Sequence, residues 1–276
     1  MTLKYSKKEL VLSGCSMVSN YVKHRNLLHI TNGLEKYPGF DRKLNKYVPV
    51  TWKYIEPFPT VTQILSNHYN LTPVDLAYPG SGNKQIYNKA IDYVLANYKN
   101  INLLVVCWST FTRMDFELKY TKDENNYQSM VYSTYEDTEK NRSELNAQYE
   151  HWEILYKMGH IFPKRDVDDF YRYSITLDLI CKNFNIKCVQ CASIQTHPYS
   201  NNLLKKFVSH DLYESINHNN FYGWPIFWKI GGNPLCYIKD EYFLTEFDSH
   251  PNELGVKIMS QKIITFIEKI GLMTGE

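Results

Sequence analysis

Serine, histidine and aspartate together can run nucleophilic acyl transfer. The hydroxyl attacks, the imidazole takes its proton, the carboxylate orients the ring, and N–H donors stabilise the oxyanion that develops. In this 276-residue chain the serine of interest is Ser16, in Leu12-Ser13-Gly14-Cys15-Ser16. The other two lie near the opposite end, in Asp248-Ser249-His250-Pro251-Asn252. Two further segments offer polar groups beside glycine or at the end of an apolar run. They are Pro79-Gly80-Ser81-Gly82-Asn83 and Trp108-Ser109-Thr110, with Arg113 just beyond. Gly80 and Gly82 allow close backbone approach to a bound group. Each piece also has a plain structural reading. Ser16 and Asn83 are good helix caps, Asp248 with Pro251 resembles a helix-start signal, and a lone loop histidine is usually just hydrogen-bonded.

The elements that would position these groups alternate. Leu10-Val11-Leu12 is a short apolar strand running into Gly14-Cys15-Ser16. Residues 60–69 read as a helix, with Val61, Ile64 and Leu65 on one face, and 74–78 as a second strand. Ile86, Ala90, Ile91, Val94, Leu95 and Tyr98 recur at helical spacing. Residues 101–107 form a nearly unbroken apolar run, as in a strand buried on both faces. A helix over 166–184 leads into a strand at 186–192. Helices at about 201–216 and 252–270 complete the pattern, and Leu145, Tyr149, Trp152 and Tyr156 mark one more within the middle segment. Alternation of this kind implies a mainly parallel sheet covered on both faces, in one domain over 1–276 with an insertion at about 111–165. Ligand sites in such sheets lie at the strand C-terminal ends. That edge should gather the three polar segments that follow apolar strands; the 248–252 loop before the last helix could join them, as could His197, in the loop after the 186–192 strand, as a candidate substrate contact.

Bulk properties narrow the partners. Net charge is only +2, too balanced to argue for a nucleic-acid or anionic-membrane partner, and no apolar run approaches a membrane span. Leu12-Ser13-Gly14-Cys15 matches a lipobox in form, but the apolar stretch before it is too short for a signal peptide of about 7–15 apolar residues. A soluble protein, cytoplasmic or virion-associated, is expected. The six cysteines make no disulfide framework. Cys188 and Cys191 form a CxxC pair, but on a strand they point to opposite faces, so neither a metal nor another cofactor is expected. The 23 tyrosines read as compositional bias alongside abundant Lys, Asn and Ile; the Trp224/Trp228 stretch and the Tyr-rich insertion could form a sugar-binding rim, or be core or interface residues.

The order of the four segments resembles the SGNH/GDSL hydrolase family. Leu12-Ser13-Gly14-Cys15-Ser16 is similar to its first block, with Cys15 where many members carry Asp. Pro79-Gly80-Ser81-Gly82-Asn83 is similar to the second, Val105-Val106-Cys107-Trp108-Ser109 with Arg113 to the third, and Asp248-Ser249-His250-Pro251-Asn252 to the C-terminal block. The resemblance spans residues 10–270, and the Trp-Ser…Arg variant is that of divergent, often phage-encoded members. It implies a flavodoxin-like three-layer α/β/α fold and ester hydrolysis through an acyl-enzyme on Ser16, with His250 as base. Gly80 would serve the oxyanion hole, with Gly82, Asn83, Ser109, Thr110, Arg113 and His197 around the substrate. That substrate would be a small acyl ester, with an acetylated carbohydrate favoured over a lipid because no long apolar lid segment is present. Two departures stand out. The family's Asp lies three residues before its His, whereas here Phe247 holds that place and Asp248 lies two before. The third-block Asn is missing, with Ser109 or Thr110 nearby and Asn83 as a substitute amide. These departures leave open a binding or virion-associated structural protein that keeps the fold without the activity.

Overall fold

The computed structural model describes residues 8–32, 36–41, 46–110, 113–117, 127–131, 163–193, 205, 207–225 and 240–275. Five parallel strands form its central sheet: β1 (Glu9–Gly14), β4 (Thr72–Asp75), β5 (Ile101–Trp108), β8 (Lys187–Ala192) and β9 (Phe221–Tyr222). Their spatial order is β4-β1-β5-β8-β9. The chain therefore builds outward from β1 in one direction, then reverses and adds its remaining strands on the other side. The reversal falls between β1 and β5, and a crevice at such a switch point is where doubly wound sheets bind ligands.

Helices cover both faces. Strand residues alternate between two cores because successive side chains point to opposite sides of a sheet. Val11, Leu104, Val106 and Trp108 pack with α3 (Asn83–Asn97) and α4 (Pro163–Asn183). Leu10, Leu12, Leu103, Val105 and Cys107 pack with α2 (Val61–His68) and α5 (Glu253–Lys269). The protein is thus α/β, with a parallel sheet between helical layers, and three strands are apolar on both faces as a doubly covered sheet requires. Among the described residues no helix is long and apolar enough to cross a membrane.

Several elements differ from the sequence reading. The second sheet strand is Thr72–Asp75, a little earlier than 74–78; it is an edge strand, where Pro73 is tolerated. Helix α1 (Tyr21–Asn32) and the antiparallel hairpin β2 (Lys36–Asp41) and β3 (Lys46–Thr51) were not anticipated. The helix expected to run to 216 stops before His210, whose Nδ1 accepts the Leu212 N–H at 3.0 Å and so draws the backbone out of the helix; a short 3₁₀ turn, Tyr213–Ser215, follows. Within 111–165 the described residues form a hairpin, β6 (Arg113–Glu117) with β7 (Tyr127–Val131), and the helix expected around Leu145–Tyr156 lies outside the described residues. Near the C-terminus, β10 (Phe243–Thr245) pairs antiparallel with β11 (Asp248–Pro251) directly before α5.

The cysteines sit inside this frame. Cys188 belongs to one core and Cys191 to the other, on opposite faces of β8. Cys107 and Cys191 lie side by side in register, their sulfurs 3.4 Å apart. The contact with Cys191, and then burial, raises the Cys107 thiol well above its ordinary range; Cys181 and burial do the same for Cys188. Cys15, Cys107, Cys181, Cys188 and Cys191 are all buried. Because only the thiolate is a good nucleophile, these five should resist iodoacetamide in the native protein at pH 8 and react fully in guanidinium. Peptide mapping that finds any of the five alkylated before unfolding would contradict this packing.

Candidate active site

Strand β1 delivers Ser16 to the switch point. The chain leaves the sheet at Gly14 and turns at once, the carbonyl of Cys15 accepting the N–H groups of Val18 and Ser19 at 3.2 and 3.1 Å. Gly14 permits the close packing: a Cβ there would lie 2.4 Å from Val18 Cγ2 and 3.1 Å from Cys107 Cβ. Cys15 points into the core, its sulfur 3.1 Å from Ser193 Oγ, while Ser16 faces the crevice and remains 6% exposed.

From the far end of the chain, β11 brings His250 to the same place. His250 Nε2 lies 2.8 Å from Ser16 Oγ, and His250 Nδ1 lies 2.5 Å from Asp248 Oδ1. Residues two apart on a strand project to the same side, so an acid two positions before the base reaches the ring. Asp248 Oδ1 also accepts the His250 backbone N–H at 3.0 Å. The carboxylate accepts a hydrogen bond from the Nδ1–H, which keeps the proton on that nitrogen and leaves Nε2 as acceptor for the Ser16 hydroxyl. The chain from Ser16 through His250 to Asp248 is continuous.

The plain structural roles open to these residues are filled by others. Helix α1 begins at Tyr21 and is capped by Asn20, whose Oδ1 accepts the Lys23 N–H at 3.4 Å. Ser16 therefore does not cap α1, which starts five residues later. Gly82, not Asn83, is the N-cap of α3. Asn252 caps α5, accepting from Gly255 N at 3.0 Å, while its Nδ2 donates to the carbonyls of Glu241 and Phe243 at 2.9 and 3.1 Å. Those bonds tie the start of α5 to the β10–β11 hairpin and so hold His250 in place.

Tyr21 is the residue that sequence reasoning missed. Its ring stacks on the His250 imidazole, centroids 3.6 Å apart and planes 12° from parallel, and its hydroxyl donates to Asp248 Oδ2 at 3.2 Å. Arg25, one turn along α1, donates from Nε to the Tyr21 hydroxyl at 2.9 Å. Trp52 meets the Tyr21 ring edge-on at 6.5 Å, held by its own bond to Asn26 Oδ1 at 3.0 Å. Nothing in the sequence separates Tyr21 from the other 22 tyrosines.

The remaining candidates divide. Ser109 and Thr110 are buried at the end of β5, and the Ser109 N–H donates to Asn83 Oδ1 at 2.8 Å. In register Gly14 lies opposite Cys107, so the strand ends place Ser109 alongside the segment carrying Ser16. The bond to Ser109 fixes which end of the Asn83 amide is oxygen and leaves Nδ2 as its donor end. Gly80 takes a positive φ of 89° in the turn after β4. Arg113 opens β6, but its side chain lies outside the described residues, as do His197 and Trp228. Trp224 packs with Phe207, Tyr213 and Phe221 at 5.0–5.4 Å, in an aromatic cluster of the fold. A small pocket of about 10 Å³ opens beside Ser16, lined by Ser19, Asn20, Tyr21, Phe58 and Pro251 among others. Among the described residues no group of acidic, histidine and cysteine side chains could hold a metal ion.

No family model matches the chain, and no curated protein does either.

The Asn83–Ser109 bond has a measurable consequence. Asn83→Ala strands a buried N–H and should cost about 1–3 kcal/mol in urea unfolding. Asn83→Asp, which keeps an acceptor, should retain most of that stability. Equal losses in the two variants would mean that the bond does not anchor the turn.

Proposed function

We propose that the protein is a serine ester hydrolase of the SGNH type, with Ser16 as nucleophile, His250 as general base and Asp248 as the acid that orients it. The observation that carries this reading is the unbroken hydrogen-bond chain between residues 234 positions apart, from Ser16 Oγ through His250 to Asp248. It lies at the C-terminal edge of a parallel sheet, beside the switch point. The order of the sequence blocks and the sheet order support a flavodoxin-like three-layer scaffold.

The reaction follows from the proton positions. Ser16 Oγ attacks the acyl carbonyl as its proton passes to His250 Nε2, and the imidazolium is held by Asp248. Collapse of the tetrahedral intermediate releases the alcohol, which takes the proton from Nε2. Water, deprotonated by the same nitrogen, then attacks the acyl-enzyme and frees Ser16. Asn83 Nδ2 is the side-chain oxyanion donor, standing in for the absent third-block Asn and working with backbone N–H groups of the Ser16 and Gly80 turns. The acyl group is small, such as acetyl, on a carbohydrate or other small alcohol, in keeping with a sequence that carries no long apolar lid segment.

A second reading, a binding or structural protein on the same scaffold, draws on the missing third-block Asn and on an Asp that lies two rather than three residues before the His. A fluorophosphonate probe separates the two. The hydrolase reading predicts labelling of the native protein that is lost in Ser16→Ala and His250→Ala, with hydrolysis of p-nitrophenyl acetate lost in parallel. Asp248→Asn should lower kcat by about 10⁴, and Asn83→Asp by about 10²–10³. A folded wild-type protein that neither labels nor hydrolyses would favour the binder.

A further inference from the structure

We infer that Tyr21, backed by Arg25, is a positioning residue that sets the charge balance of the His250–Asp248 pair. For its kinetic consequences the inference rests on the hydrolase reading; for its electrostatics it does not. Asp248 is 4% exposed, and its two oxygens divide their partners. Oδ1 faces the imidazole and the His250 backbone N–H, whereas Oδ2 accepts from the Tyr21 hydroxyl. That hydroxyl receives the Arg25 Nε–H, which polarises it and makes it a stronger donor to the carboxylate. The donor draws charge away from the oxygen that faces the ring. The stacked ring acts in the opposite sense, because the face of an aromatic ring favours a cation and so favours imidazolium over imidazole. One side chain thus applies two opposed influences, separable by substitution.

Other charged and titratable groups stand on the elements packed against the pair, among them Glu246 in the β10–β11 turn. Ser16 contributes a hydroxyl from the β1 turn, and α1 contributes Tyr21 and Arg25. On α5, Glu253 and Lys257 pair with each other at 2.7 Å, and Glu241 lies on the turn tied to Asn252.

The test is an NMR titration of the His250 ring nitrogens in the full chain, in wild type, Tyr21→Phe and Tyr21→Leu, with p-nitrophenyl acetate kinetics on the same samples. Tyr21→Phe keeps the stack and loses the donor, so imidazolium is held more tightly and the midpoint lies at higher pH than in wild type. Tyr21→Leu loses both, and its midpoint falls below that of Tyr21→Phe. A Tyr21→Phe midpoint equal to wild type, or coincident midpoints in the two variants, overturns the inference. Midpoints that move as expected in a protein that neither hydrolyses ester nor takes up fluorophosphonate uphold it and discard the hydrolase reading. Hydrolysis with unmoved midpoints does the reverse.

Discussion

A carboxylate removed from water must be given donors, or it will neutralise or destabilise the fold. Asp248, with its side chain 3% exposed, is such a group, and its surroundings organise the whole site. It takes the His250 ring and backbone N–H groups on one oxygen and the Tyr21 hydroxyl on the other. Satisfying it requires β11 to present two residues on one side, α1 to begin where it does, and the turn after β1 to leave Ser16 facing the imidazole. A carboxylate of this kind also fixes the ring tautomer, which turns a polar cluster into a directed proton path.

Two sections of chain far apart in sequence meet because of the sheet order. Strand β1 lies inside the sheet, between β4 and β5, so the turn that follows it opens into the crevice rather than onto an edge. Helix α5 packs on the same face as α2 and brings β11 over that crevice. Gly255 shows how tight the closure is. A Cβ there would stand 2.5 Å from the Tyr242 carbonyl oxygen and 3.0 Å from Pro251 Cβ, so any larger residue displaces the hairpin that carries His250.

Much of this was legible from residue pattern. The apolar runs at 10–12, 101–107 and 186–192 are doubly buried strands, and that signal survives because both faces of each must be apolar. The polar segments after them could be placed at one edge by the topology of parallel sheets alone. The hairpin β2–β3 was not legible, because Pro38 stands opposite Pro49 in it, and proline ordinarily argues against a strand. Helix α1 was missed because its outer face carries Leu27 and Ile30, both exposed, which blurs the amphipathic period. Tyr21 could not be found by any local rule. Its role depends on a stack and a hydrogen bond to residues more than 200 positions away.

The most direct test of the central claim is to trap the covalent intermediate. Acid quenching during turnover of p-nitrophenyl acetate, followed by peptide mapping, should find one acetyl group on the Ser16 hydroxyl, absent when His250 is replaced by Ala. An acetyl group on another residue, or none on Ser16 in a protein that turns the ester over, would contradict the assignment of Ser16 as nucleophile.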